Sequence, residues 1–250
     1  MKNKSEYIKF ILPLLIIFFW FIFTYTGKVP PTSLPSLSAV KDTFIEMLKS
    51  GQLSNDLSLS LRRVLAGFFI SSILGISLGI FMGISSKAKE FFQLTLTAIR
   101  QIPMIAWIPL IILWAGIGEV SKIVVILFAA TFPIVVNTMG GVDSTSETYL
   151  EVAKMYGLSK KDTFFKVYLS SALPNIFTGL RLGLGASWMA VVASELIASS
   201  SGIGYRLNDA RSLMRSDVVI VCMIIIGLVG LLMDKLIVLI SHELTPWKKN

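Results

Sequence analysis

Long apolar runs alternate with short polar interruptions along almost the whole of this chain. Asp, Glu, Lys and Arg are absent from residues 10–27, 64–86, 101–118, 123–142 and 218–233, runs of 18, 23, 18, 20 and 16 residues. A helix that crosses the hydrocarbon core of a bilayer needs about 20 mostly apolar residues. The pattern predicts spanning helices over about residues 1–26, 61–84, 91–114, 123–141, 176–198 and 218–240, the fifth carrying Arg181 and Glu195. The expected fold class is all-α, a polytopic membrane helical bundle of about six spans.

Finer features shape these spans. Gly75, Gly79 and Gly83 recur every four residues, as do Gly179 and Gly183, followed by Ala186 and Ala190, so two spans present small-residue faces to which another helix can come close. The third span contains Pro103 and Pro109 and is expected to be bent or broken. Between Lys41, Asp42, Glu46 and Lys49, the residues Val40, Phe44, Met47 and Leu48 fall at helical spacing. They predict a short amphipathic helix at the membrane surface, after an extended stretch set by Pro30, Pro31 and Pro35. The N-terminal apolar run has the polarity of a signal peptide, yet it leads into Gly27-Lys28-Val29-Pro30-Pro31 with no small-residue cleavage site, so it is read as a retained span.

Composition agrees with the pattern and narrows the chemistry. Hydrophobic residues make up 54% of the 250 and charged residues only 15%, against about 25% charged in an ordinary soluble domain. Cys222 and His242 are the only residues of their kinds, so the sequence offers no intrachain disulfide and no His/Cys cluster for zinc. A nucleophile relying on His242 would sit beside Pro246 and Trp247, a poor place for catalysis. No GxxxxGK[ST] stretch is present, so nucleotide hydrolysis by a P-loop is not expected, and no cofactor is implied. The net charge of +8 is read as basic loops against anionic lipid, with no nucleic acid as partner.

Six spans place both termini on one side. Lys2, Lys4 and Lys9 before the first span outweigh Lys28 after it, and in the segments that flank the spans eleven Lys/Arg fall on the termini side against nine on the other. This bias predicts cytoplasmic termini. The chain then divides into an N-terminal span (1–26), an extracytoplasmic segment (27–60), a core (61–240) and a cytoplasmic tail (241–250).

Within the core, residues 142–175 form a long polar interruption on the cytoplasmic side. A helix from about residue 147 to 156 is expected to stop at Gly157, which suits the left-handed position after a helix end. Ser159 with Asp162 resembles a capping box opening a second helix, expected to end near Pro174. The first helix carries Leu150, Ala153 and Tyr156 among charges, a pattern suited to docking.

This elbow resembles the EAA loop of ABC-importer permeases. Glu151-Val152-Ala153 matches with valine in place of the first alanine, Gly157 follows three residues after Lys154, and Leu173-Pro174 closes the motif. Arg100-Gln101-Ile102-Pro103, Ala106-Trp107-Ile108-Pro109-Leu110, Leu113-Trp114-Ala115-Gly116-Ile117-Gly118-Glu119, Phe132-Pro133-Ile134, Asn137-Thr138 and Ser201-Gly202-Ile203-Gly204-Tyr205 look like the nitrate/sulfonate/taurine branch. Leu34-Pro35-Ser36-Leu37 departs from that branch's Leu-Pro-Ser-Pro.

The resemblance implies a type I importer permease in the bacterial cell (inner) membrane, paired with a second copy. It further implies a cytoplasmic ABC ATPase dimer seated on Glu151, Ala153, Gly157, Leu173 and Pro174, and an extracytoplasmic binding protein delivering a small anion. Relatives of the branch carry vitamin precursors of thiamine-pyrimidine or riboflavin-like type, an alternative cargo.

Three residues inside the spans are candidates for the translocation path: Arg100, Asn137 and Glu195. Each has a structural alternative. Arg100 can snorkel to the cytoplasmic side, Asn137 can make an interhelical hydrogen bond, and Glu195 can pair with an arginine of the outer loop. Two other classes compete with the importer reading. A membrane-embedded enzyme would need to draw on the scattered Arg100, Arg181, Glu195, Asp234 and Lys235, and a secondary transporter would need an internal repeat that the chain does not display.

Overall fold

The computed structural model of the chain describes residues 3–27 and 29–246, with the backbone alone for residues 3–9. Lys2, Lys28, Trp247, Lys248 and Lys249 lie outside the described residues, as do the side chains of Lys4 and Lys9, so the charges that orient the first span fall there. The described residues form α1 (Asn3–Tyr25), α2 (Leu37–Lys49), α3 (Gln52–Ile84), α4 (Ser86–Arg100), α5 (Met104–Ala115), α6 (Glu119–Asp143), α7 (Glu147–Met155), α8 (Lys160–Thr163), a π-helical turn (Phe164–Tyr168), α9 (Leu169–Ala198), α10 (Ile203–Ser212) and α11 (Ser216–Leu244).

Among these, α3, α6, the continuous helix Lys160–Ala198 and α11 are long and apolar enough to cross a membrane. The bent pair α4–α5 makes a fifth such element, and Phe10–Tyr25 of α1 is a shorter apolar helix. The chain is all-α, a polytopic membrane bundle.

Helices α3, α6 and α9 form its centre. One face of α3 carries Gly67, Ser71, Gly75, Gly79 and Gly83. A methyl group on Gly75 would lie 2.7 Å from Ile134 of α6, and one on Gly79 would lie 2.6 Å from Thr138. From the other side a methyl group on Gly183 of α9 would lie 2.9 Å from the same Ile134. Without a hydrophobic drive between helices inside lipid, such close backbone approach is what makes the packing favourable. Helix α11 joins α9 through Trp188, whose indole N–H donates to the Ile226 carbonyl at 2.9 Å, and through a fork from Arg181 to Asp234.

The third span is broken, with α4 and α5 meeting at 98°. The break falls at Pro103, which pushes Ile102 out of helical conformation. Pro109, by contrast, lies inside α5. There the amide it lacks orphans only the carbonyl of the exposed Ile105.

Two expectations are corrected. Pro174 does not end the elbow's second helix: α9 runs through it, and one continuous helix covers Lys160–Ala198. The cost is one hydrogen bond to the carbonyl of Ser170, an exposed residue, while packing on both sides of the proline holds the helix. The amphipathic α2 also does more than rest on a membrane surface. Capped by Ser36, it buries Val40, Thr43 and Met47 against the bundle, and the Thr43 hydroxyl donates to Asp217 of α11 at 2.7 Å. Phe44 and Leu48 stay exposed.

Candidate functional site

The elbow is built from a helix end and a helix start placed back to back. Helix α7 closes in a Schellman motif: the amide of Leu158 donates to Ala153 O at 3.0 Å and that of Gly157 to Lys154 O at 3.0 Å, with Gly157 at φ +66°. A Cβ at Gly157 would meet nothing within 4 Å, so backbone conformation alone calls for glycine there. Ser159 then caps α8, its hydroxyl oxygen accepting from the amide of Asp162 at 3.1 Å and its hydroxyl proton going to Asp162 Oδ2. Asp162 answers the hydroxyl and not the cap amide, so only half of a capping box forms. Beyond α8 the π-helical turn leads directly into α9.

Between α7 and this continuing helix lies an open groove of about 680 Å³, lined by Tyr149, Val152, Ala153, Leu158, Val167 and Ser171 among others, with Lys166 at its edge. Along α7 and its end Tyr149, Met155 and Tyr156 are strongly exposed, Met155 by 85%. Ala153 lines the groove but is only 2% exposed, its carbonyl accepting from the amide of Leu158, and the apolar side chains that stand out are Tyr149, Val152, Met155 and Tyr156. Glu151 is exposed and makes no side-chain hydrogen bond or ion pair among the described residues. Leu173 and Pro174 sit partly buried in α9 and do not line the groove.

The other three candidates share no cavity. Arg100 is the last residue of α4, exposed and without an ion pair among the described residues, at the edge of a small cavity of about 30 Å³ beside Phe132 and Met139. Asn137 of α6 donates from Nδ2 to Pro133 O at 2.8 Å, within its own helix and not across to another. Glu195 faces no open volume. Its carboxylate is buried and accepts from Ser60 at 2.8 Å, from Arg63 Nη1 at 2.7 Å and from the amide of Gly204 at 2.9 Å. Its place is in a polar network at the opposite end of the bundle from the elbow, paired with an arginine as the alternative had it, though with Arg63 of α3 and not with one of the outer loop.

That network was not singled out from the sequence. Arg63 directs every one of its N–H groups: Nε and Nη2 fork onto Glu119, Nη1 reaches Glu195 and the Ser201 carbonyl, and Nη2 also donates to the Ser201 hydroxyl. The start of α10 is capped by side chains from elsewhere. The amide of Gly202 donates to Asp56 at 3.1 Å, that of Ile203 to the Ser60 hydroxyl at 3.0 Å, and that of Gly204 to Glu195. Carboxylates at a helix N-terminus satisfy both its free amides and its dipole. Gly202 stands at φ +107°, and a Cβ there would overlap the Glu195 carboxyl. Arg206 of α10 returns to Asp56 at 2.9 Å. One signal was available: Asp56, Ser60 and Arg63 are spaced i, i+4, i+7, a polar stripe that becomes the glycine stripe of α3 further along.

The helices, their small-residue packing and the elbow together define a multi-pass membrane transport protein. Residues 71–245 match the family described as binding-protein-dependent transport system inner membrane component, and the chain belongs to that family of ABC-importer permeases. Among its relatives, the protein named as aliphatic sulfonates transport permease SsuC of Bacillus subtilis is 37% identical over 96% of this chain and 87% of its own length. The nitrate import permease NrtB of Synechocystis sp. is 37% identical over 75% of this chain and 68% of its own. A solved chain from an amino acid ABC transporter with histidines superposes with a TM-score of 0.66 at 16% identity, covering 80% of this chain and 98% of that one, and shares the fold.

Proposed function

We propose that the elbow is the docking site through which a cytoplasmic ABC ATPase drives this permease. The observation that carries the reading is the groove itself, an apolar cleft open to one side and ringed by the exposed Tyr149, Val152, Met155 and Tyr156, which no other part of the described chain fills. It has the form that receives a partner's helix or loop. Both termini and the elbow are then cytoplasmic, ATP is hydrolysed in the partner, and residues 27–60 and α10 face outward, where a binding protein delivers the cargo. One chain offers one elbow and ABC ATPases work as pairs, so two permease copies form the path, with α1 peripheral.

The cargo we propose is a small anion of nitrate, sulfonate or taurine type. Two relatives are named for such anions, and Arg100 stands exposed beside the break before α5 with no carboxylate on it. A guanidinium next to a broken helix at membrane depth favours negative charge.

Cysteines replacing Ser36 and Ser159 in a Cys222→Ser background test the orientation and are expected to label from opposite sides of the membrane. Same-side labelling would overturn it. In proteoliposomes with ATPase and binding protein, Arg100→Gln is expected to lower anion uptake while assembly persists. Uptake of a neutral or cationic vitamin precursor, untouched by Arg100→Gln, would overturn the anion assignment.

A further inference from the structure

Arg63 holds two carboxylates of unequal standing. Glu195 is buried and tied also to Ser60 and to the first turn of α10, so removing it would leave the buried guanidinium with only the exposed Glu119 and would unmoor α3, α9 and α10 from one another. Glu119 is the opposite case. Its side chain is 61% exposed, and its ion-pair contacts are Arg63 and, at 3.5 Å, Lys122. It opens α6 directly after the turn Gly116-Ile117-Gly118, in which Gly116 has φ +76°.

The packing around that turn is equally lopsided. Helix α5 is anchored by Ile108 and Ile111, which pack with Val125 and Ala190. Its last turn leaves Leu113 and Trp114 exposed, and Ile117 is 81% exposed. Glu119 is therefore the polar mooring of the α5–α6 turn. Were it to swing away, Arg63 would keep Glu195 and both oxygens of Ser201, while Lys122, whose side chain is only 6% exposed, would lose the one carboxylate it meets among the described residues, so release goes with an opening that lets water reach that lysine.

We propose that the Arg63–Glu119 contact is a releasable latch on the outer side of the permease. It holds the α5–α6 turn against the block of α3, α9 and α10 while that side is shut, and lets go when the side opens. Arg63 and Glu119 are thus positioning residues for transport. The latch rests on the orientation and ATPase coupling proposed above.

The test uses the assembled permease–ATPase complex in proteoliposomes with neither binding protein nor cargo present, and two readouts. These are ATP hydrolysis and the alkylation rate of a cysteine replacing Ser201 in a Cys222→Ser background. Glu119→Gln keeps the shape and removes the charge. It is expected to assemble at wild-type yield and to raise both rates about two- to fivefold, the shift that loss of a partly exposed ion pair gives a two-state equilibrium. Glu119→Asp is expected to return both toward wild type, and Glu195→Gln to lower the yield of complex. Unchanged hydrolysis and alkylation in Glu119→Gln would overturn the latch. So would loss of assembly in Glu119→Gln, because the contact would then be a fixed pin. A wild-type chain that captures no ATPase overturns the coupling reading itself, an outcome read before any variant is compared.

Discussion

At one end of the bundle Arg63 has each of its N–H groups engaged and Glu195 accepts from three residues on α3 and α10; at the other, the exposed side chains of Glu151, Lys154 and Tyr156 make no hydrogen bond or ion pair among the described residues. The contrast follows from burial. Charges taken out of water must be paired and hydrogen-bonded to saturation, so the buried part of the network, Asp56, Ser60, Arg63 and Glu195, holds its partners closely, with only the exposed Glu119 free to leave. The elbow end is held in shape by short-range hydrogen bonds, those of the Schellman turn and of the Ser159 cap. Its apolar side chains and charges are left over for something outside the chain. One end fixes the relation of α3, α9 and α10; the other keeps a shape and leaves its contacts unmade.

If that distinction is right, substitutions should separate into those that unmake the protein and those that unmake its association. The largest effect is expected at Gly202→Ala, where the new methyl overlaps the Glu195 carboxyl and the backbone is in a conformation that side chains rarely adopt. Displacing Glu195 opens a buried pair, a loss of about 3–5 kcal/mol, and the expected result is little folded protein in detergent-extracted membranes by size-exclusion chromatography. A wild-type elution profile and melting temperature would show the network to be dispensable. Next comes Gly157→Val. No atom lies in the way, so the loss is the conformational one of about 1–2 kcal/mol for a side chain in the left-handed region. Membrane insertion should be normal and ATPase capture in a pull-down weaker by about five- to thirtyfold, with Gly157→Asn intermediate. The smallest effect is expected at Arg181→Gln. Its fork onto Asp234 is well formed but exposed on both sides, and exposed pairs add little. Thermal unfolding and ATPase capture should both match wild type, and a clear loss in either would mean that the seam between α9 and α11 matters more than its exposure implies.

The sequence carried the fold further than the site. Charge-free runs located the apolar helices because lipid imposes length and composition on each span independently. Gly157 and Ser159 announced the elbow because a left-handed turn and a helix cap are local requirements. Where the outcome depended on tertiary context, local rules misled. Pro174 should have stopped a helix, and packing on either side carried the helix past it. Ala153 falls on the docking side of α7 but is buried there, at the Schellman turn where its carbonyl meets the amide of Leu158. The network was the least legible, since Asp56 and Arg206 are 150 residues apart and Arg63 and Glu195 are 132 apart. Only the polar stripe on one face of α3 hinted that something charged would be buried there.

The π-helical turn at Phe164–Tyr168 bears on how the chain tolerates changes in its own length. It interrupts the helix Lys160–Ala198 between the elbow and the network end. Each residue of an α-helix advances the chain by about 100° around the axis. Losing one residue from the middle of α9 would therefore swing the elbow by about 100° relative to Glu195, away from the clocking that the glycines of α9 set against α6. A π turn is an α turn with one residue too many. Losing a residue between Phe164 and Tyr168 would absorb that surplus and leave the elbow on nearly the same bearing. A deletion in this helix thus has one address that keeps the elbow's bearing, although that turn also supplies Lys166 and Val167 to the groove a partner would grip.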